Sequence, residues 1–376
     1  MKKFNKKIPF IDLSAQKKRL GKKIDFAIST VLSHGSYIMG PEVKELEEEL
    51  KKYTNTKHVI SCASGTDALM LALMSNNIGK GDVVFCPAFT FPATAEVISL
   101  LGAIPYFVDV DNDTFNISIE SLKTAILEVK KDTSLKIKGV IAVDLYGLPA
   151  NYDALNKIAR EEKLVLIADA AQSFGAEYFG DKVGKNAKIT CVSFFPAKPL
   201  GCYGDGGAVI TDDDELAEKI KSLRVHGKGK SKYDIDLVGL NSRLDTLQAA
   251  ILLVKLKEFD WEVKQRNIIA YKYNSALKEI YNIPFIPKGI KSVWAQYTLK
   301  HENRDLIQKQ LSLKGIPTMV YYPKPMHQQN AYKKYYRSPI ENSEILSGTV
   351  FSLPMYPDMT EDIQEFIINN LLEQNI

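Results

Sequence analysis

The chain has 376 residues, 45% of them apolar, with 49 lysines and arginines against 45 acidic residues and a net charge of +4. So small and dispersed a charge argues against a nucleic-acid surface, and the length is enough for a large and a small domain, each with its own core. Lys2, Lys3, Lys6 and Lys7 read as a basic, solvated tail, with no apolar stretch of the kind a secretory signal needs, so a cytoplasmic protein is expected.

In chain order, Pro41 followed by Val43, Leu46 and Leu50 predicts a helix with proline in its first turn. Extended apolar runs recur at 59–62, 83–86, 105–109, 139–144, 164–168, 189–193 and 208–211, most of them separated by helical patterns. This alternation predicts an α/β fold, with a mostly parallel sheet covered by helices on both faces. The longest uncharged apolar run, Ala68 to Met74, is too short to span a bilayer, so no membrane partner is expected. Further helices are expected over Leu216–Leu223 and, as one long element, from Leu240 to Phe259. A domain change is placed near residue 255, giving units 1–255 and 256–376. The second unit is expected to hold strands around 294–300 and 317–322 and a closing helix from about Glu361. Cys62, Cys86, Cys191 and Cys202 stand at or beside predicted buried strands without a CxxC spacing, which predicts reduced thiols and no metal site.

Three segments carry chemistry. Lys198 sits in the run SFFPAKPLGCYGDGGA (193–208), among groups that cannot solvate an ammonium. Desolvation favours the neutral amine that Schiff-base chemistry requires, although a lysine can also lay its stem on apolar surface and snorkel to water. Asp169 falls at the carboxyl end of the apolar run 164–168, where open α/β sheets place ligands. There it either holds a pyridinium nitrogen protonated or caps the next turn. In SCASGTDALMLALM, a strand breaks at Ser64-Gly65-Thr66 and a helix follows. Small residues at that helix start suit either a phosphate or an ordinary N-cap, and no Walker A spacing is present.

Taken together, Lys198, Asp169 with Gln172, the SGTDAL turn, AFTFPATA at 88–95, Ser193 and GLNSRLDTLQAA at 239–250 resemble the DegT/DnrJ/EryC1/StrS family of sugar aminotransferases. The resemblance runs from IPFIDL at 8–13 to FSLPMYP at 351–357. It implies the aspartate-aminotransferase fold (type I), with a seven-stranded sheet in the large domain, and pyridoxal 5′-phosphate as cofactor. By the same resemblance, Lys198 holds the cofactor and shuttles a proton, Asp169 pairs with its ring nitrogen, and Gln172 contacts its phenolic oxygen. Gly65, Thr66 and Ser193 match phosphate-binding positions, and Phe91, with Phe89 as the alternative, matches the aromatic residue stacked on the ring. Asn241 and Arg243 match a segment that reaches the neighbouring subunit's site, so a homodimer with shared active sites is implied. Tyr321, Tyr322 and His327 are candidate substrate contacts. His226, among basic residues, either faces a diphosphate or is solvated.

Relatives usually take glutamate as amino donor and a nucleotide-linked keto-sugar as acceptor. The stretch around Lys198 resembles most the branch acting at C3 of UDP-2-acetamido-3-keto-glucuronate, in the making of 2,3-diamino sugars for O-antigen, lipopolysaccharide or related glycans. Branches acting at C4 more often carry His or Asn near the lysine, where this chain has Pro196 and Pro199. A 4-keto-sugar 4-aminotransferase is the main alternative, and a non-catalytic cofactor-binding regulator is the alternative of another class. Related dehydratases carry His in place of the lysine.

Overall fold

The computed structural model describes residues 8–231 and 233–374; the expected lysine tail at Lys2, Lys3, Lys6 and Lys7 lies outside the described residues. The main sheet is built from β1 (His58–Cys62), β2 (Asp82–Pro87), β3 (Ile104–Val108), β4 (Lys136–Val143), β5 (Val165–Asp169), β6 (Ile189–Ser193) and β7 (Gly207–Thr211). These seven strands lie in the order β1-β7-β6-β5-β4-β2-β3 and match the seven apolar runs. All point the same way except β7, which is antiparallel to both β1 and β6.

The helices in the first part of the chain are α1 (Leu13–His34), α2 (Pro41–Thr54), α3 (Gly65–Ser75), α4 (Ala93–Leu100), α5 (Ile119–Val129), α6 (Tyr152–Glu162), α7 (Asp214–Leu223) and α8 (Thr246–Leu256). They cover both faces of the sheet, which is why its strands read as unbroken apolar runs. In β2, Val84 and Cys86 pack with α3 and α4 on one face. Val83 and Phe85 point the other way, toward α5 and α6. On that second face α2 and α8 cover Val192 and Ile210. As expected, α2 starts with Pro41 in its first turn and buries Val43, Leu46 and Leu50.

The rest of the chain forms α9 (Phe259–Leu277), β8 (Tyr297–Lys300), α10 (Arg304–Leu313), α11 (Glu341–Thr349), β9 (Val350–Leu353) and the expected closing helix α12 (Glu361–Leu372). A second core gathers Tyr273, Tyr297, Ile307, Leu311, Phe351 and Ile367, with Ile8 joining from the other end of the chain. The long helix expected from Leu240 to Phe259 is two helices preceded by extended backbone. Leu240 and Ser242 give their N–H groups to the carbonyls of Leu223 and Arg224, at 2.7 and 2.9 Å, so helix formation starts only at Thr246. The strand expected over 317–322 reduces to one bridge between Met319 and Ser352, and the strand that pairs with β8 is β9. All four cysteines are buried and free, and no helix of the described residues is long and apolar enough to cross a membrane.

Candidate active site

Parallel strands bring their carboxyl ends to one edge of the sheet, where the loops are free to carry ligands. Asp169 ends β5 there and is 7% exposed. Its Oδ2 accepts from Thr94 Oγ1 at 2.9 Å and its Oδ1 from the Ala171 amide at 3.3 Å. Burial pushes this carboxyl above its usual range, while the Thr94 hydroxyl, the Lys198 ammonium and the Ala171 amide pull it back.

Lys198 lies on the loop from β6 to β7, which the antiparallel pairing of those strands closes at its base. The Phe194 amide donates to the Gly206 carbonyl at 2.7 Å, and the Cys202 amide donates to the Phe194 carbonyl at 2.7 Å. Farther along the loop the Lys198 amide reaches the Phe195 carbonyl at 2.8 Å. A Cβ on Gly201 would stand 2.6 Å from both the Phe195 and the Pro196 carbonyl oxygens, so the turn excludes any side chain. Behind it, the buried Lys255 of α8 donates its ammonium to the Gly201 carbonyl. Burial lowers the pKa of the Lys198 amine, opposed by the Asp169 carboxylate. The charges of the two groups expected to do the chemistry therefore act on each other, in surroundings that favour a neutral amine.

Opposite this loop, Ser64 caps α3 by accepting from the Asp67 amide at 3.0 Å, so the capping alternative is real. The same turn is nevertheless shaped as a cup. A Cβ on Gly65 would lie 2.6 Å from Ser193 Cβ, and one on Gly207 would lie 2.4 Å from the Ser64 carbonyl oxygen. Gly65 and Ser193 are thus in direct contact, with Thr66 next in the helix, at a helix end whose dipole favours an anion.

Gln172 is buried, accepting from the Tyr146 amide at 2.8 Å and donating to the Tyr322 hydroxyl at 3.3 Å. The Tyr322 ring centroid stands 6.2 Å from those of both Phe89 and Phe91. Of these two, Phe89 is 1% exposed and belongs to a core cluster, whereas Phe91 is 54% exposed. The Tyr321 carbonyl accepts from the Tyr146 hydroxyl. Gln172, Tyr322 and Phe91 are thereby linked, and the Asp169 charge acts on the Tyr322 hydroxyl as it does on Lys198.

Other candidates stand apart from it. Asn241 is exposed and bridged to Val225. Arg243 is half-buried, with a buried Nε that carries no hydrogen bond. Between them Ser242 accepts from the Ala63 amide at 3.4 Å, which sets this segment beside the α3 cup. His327 is 2% exposed with Nε2 2.9 Å from Glu344 Oε1, and its buried Nδ1 has no partner. It would reach a ligand through Nδ1 only. His226 is exposed. Sequence reasoning missed Thr94, although it lies within the 88–95 segment in the first turn of α4. It also missed Lys255, whose one signal is a charge on the otherwise apolar face of α8.

The profile of the DegT/DnrJ/EryC1/StrS aminotransferase family matches residues 18–372. A UDP-2-acetamido-2-deoxy-3-oxo-D-glucuronate aminotransferase of Pseudomonas aeruginosa is 46% identical over 351 residues, covering 93% of this chain and 95% of its own. The crystal structure of a DegT DnrJ EryC1 StrS aminotransferase from Brucella abortus superposes with a TM-score of 0.96 at 48% identity, covering 97% of this chain and 98% of that one. NtdA from Bacillus subtilis, solved with its cofactor PMP bound, superposes with a TM-score of 0.90 at 30% identity, over 99% of this chain and 86% of its own. Lys198 and Asp169 at the carboxyl edge of a mostly parallel sheet, and matches of this extent, make the chain a member of the DegT/DnrJ/EryC1/StrS family of pyridoxal 5′-phosphate-dependent aminotransferases.

Proposed function

We infer that this enzyme moves an amino group from glutamate to C3 of UDP-2-acetamido-2-deoxy-3-keto-glucuronate, in the cytoplasm, toward 2,3-diamino sugars of O-antigen or related surface glycans. The observation that carries the reading is the 46% identity, over 93% of the chain, to a relative named for that 3-oxo sugar. The residues present suit the cofactor. Lys198 lies within the field of Asp169, with its amine destabilised as a cation by burial, and Gly65 and Ser193 form a tight cup at the start of α3.

Lys198 would hold the cofactor through its amine, and Gly65, Thr66 and Ser193 its phosphate. Asp169 would hold a proton on the ring nitrogen, Gln172 would meet the phenolic oxygen and Phe91 would lie against the ring. When bound, the cofactor supplies a protonated pyridine ring that accepts the electron pair released at the donor's α-carbon. The Lys198 amine, once free, is the group placed to take and return the proton, because it is desolvated and beside a carboxylate. Tyr321, Tyr322 and His327 are assigned to the sugar nucleotide. Asn241 and Arg243 are assigned to the site of a partner subunit, with Asn241 at the cofactor phosphate and Arg243 as a fork for the uronate carboxylate. The functional unit is then a closed dimer, built from a cofactor-binding unit 1–255 and a smaller unit 256–376 in each chain.

The test converts the cofactor-loaded protein to its aminated form with glutamate, removes the excess, and adds a 3-keto-uronate or a 4-keto nucleotide sugar. Recovery of the original absorption with the 3-keto sugar alone is expected. Recovery with the 4-keto sugar alone would keep the chemistry and overturn the substrate, and failure of glutamate to change the spectrum would overturn the donor.

A further inference from the structure

Asp144 is a fully buried carboxyl, 0% exposed, and no role given above uses it. It follows β4 directly, beside the end of β5, where Val143 is the register partner of Asp169. Its amide donates to the Asp169 carbonyl at 3.1 Å. Its Oδ2 accepts from Ser173 Oγ at 2.6 Å, one residue after Gln172. Its Oδ1 accepts from the Tyr152 hydroxyl at 2.7 Å and the Ala150 amide at 2.8 Å. One residue therefore ties down both ends of the Asp169–Ser173 turn.

All three donors to this carboxyl are neutral. The titratable groups facing it are Tyr152 from α6 and Asp169 from β5, and no cation is among the described groups acting on it. Burial, with the Asp169 charge adding, pushes its pKa up to about 7 against the pull of its donors. A buried carboxylate without a cation is costly, and an asparagine would satisfy the same geometry: its oxygen accepts from Tyr152 and Ala150, and its amide donates to Ser173 once that hydroxyl rotates. A purely structural role does not require an acid here.

We propose that Asp144 is a positioning residue that fixes the Asp169–Ser173 turn and places a second negative charge behind Asp169, strengthening the hold of Asp169 on a proton of the bound cofactor. This rests on the reading that Asp169 faces the cofactor's ring nitrogen. The charge is present above pH 7 and absent well below it, so its effect has a pH signature that lost packing would lack.

The experiment compares wild type, Asp144→Asn and Asp169→Asn, each loaded with pyridoxal 5′-phosphate. Three quantities are read: the pH midpoint of the cofactor's absorbance, kcat from pH 6 to 9, and thermal unfolding. Asp144→Asn should fold normally and lower the absorbance midpoint by up to about one pH unit, the order expected for a unit charge about 10 Å away at an effective dielectric of about 20. Its kcat should equal that of wild type near pH 6 and fall about tenfold below it by pH 9, with KM for glutamate little changed. An unmoved midpoint, or a kcat ratio constant with pH, overturns the proposal. Full activity of Asp169→Asn would instead overturn the reading of Asp169 on which it rests. Should Asp144→Asn not fold, Tyr152→Phe serves: it removes one donor to the carboxylate, so the charge forms at higher pH, and it should move the pH-dependent part of kcat to higher pH and the absorbance midpoint in the same downward direction as Asp144→Asn. No displacement in that variant counts equally against the proposal.

Discussion

Replacing Lys255 by methionine should flatten part of the protein's stability-versus-pH curve. Lys255 is 2% exposed, its ammonium is bonded to the Gly201 carbonyl, and burial lowers its pKa from 10.5 to about 8. A drop of that size corresponds to a cost on the order of 3 kcal/mol for holding the cation inside. Because the folded-state pKa of this cation is depressed, the cost is fully present below pH 8 and disappears as pH rises toward 10.5. Linkage over that window gives wild type a gain of roughly 2 kcal/mol between pH 7.5 and pH 10 that Lys255→Met lacks. At pH 7.5 the variant sheds the charge but leaves the Gly201 carbonyl unpaired, about 1–3 kcal/mol in the other direction. The absolute stabilities of the two proteins should therefore lie close together while their pH slopes differ. Urea unfolding of both at the two pH values, with the same cofactor loading and protein concentration, measures the difference, since every other titrating group cancels. Equal slopes would refute the reasoning, because they would mean that Lys255 is not held inside as a cation.

Gly65→Ala puts a methyl 2.6 Å from Ser193 Cβ and should weaken pyridoxal 5′-phosphate binding by about tenfold or more when the apo-protein is titrated, so unchanged affinity would remove this cup from the phosphate site. Arg224, 6% exposed, donates to Glu47 Oε1 at 2.6 Å and to the Ser61 carbonyl at 2.7 Å, so Arg224→Met should cost about 3 kcal/mol in urea unfolding, and a loss under about 1 kcal/mol would show the pair to be idle. Mixed dimers of Lys198→Ala and Arg243→Ala chains, each expected to be inactive alone, should regain part of the activity. Verified mixed dimers that stay inactive would count against a shared site.

The sheet was legible because helices cover both of its faces: each strand had to be apolar throughout, and all seven runs stand where expected. The segments misread are those whose backbone partners lie far away in the chain. Leu240, with Leu244 and Leu247, fits the apolar spacing of a helix, yet the Leu240 and Ser242 N–H groups are taken by the carbonyls of Leu223 and Arg224. Met319 finds its partner at Ser352, and no local pattern announces it. At the site, Lys198 and Asp169 were visible as charges in apolar runs. Thr94 and Lys255 act through single hydrogen bonds to distant groups, and composition carries no trace of such bonds.

The reversed strand β7 also dictates when the site can be assembled. β1 is an edge strand whose one sheet neighbour is β7, so residues 58–62 wait for residues 207–211. Strands β2 to β5 can associate as they emerge during synthesis, but the end of β1 that leads into Ser64 and Gly65 stays unpaired until Gly207 arrives with the loop bearing Lys198. Both halves of the catalytic edge therefore close in a single late step, and a chain truncated before β7 would leave an open sheet edge in place of a partly active enzyme.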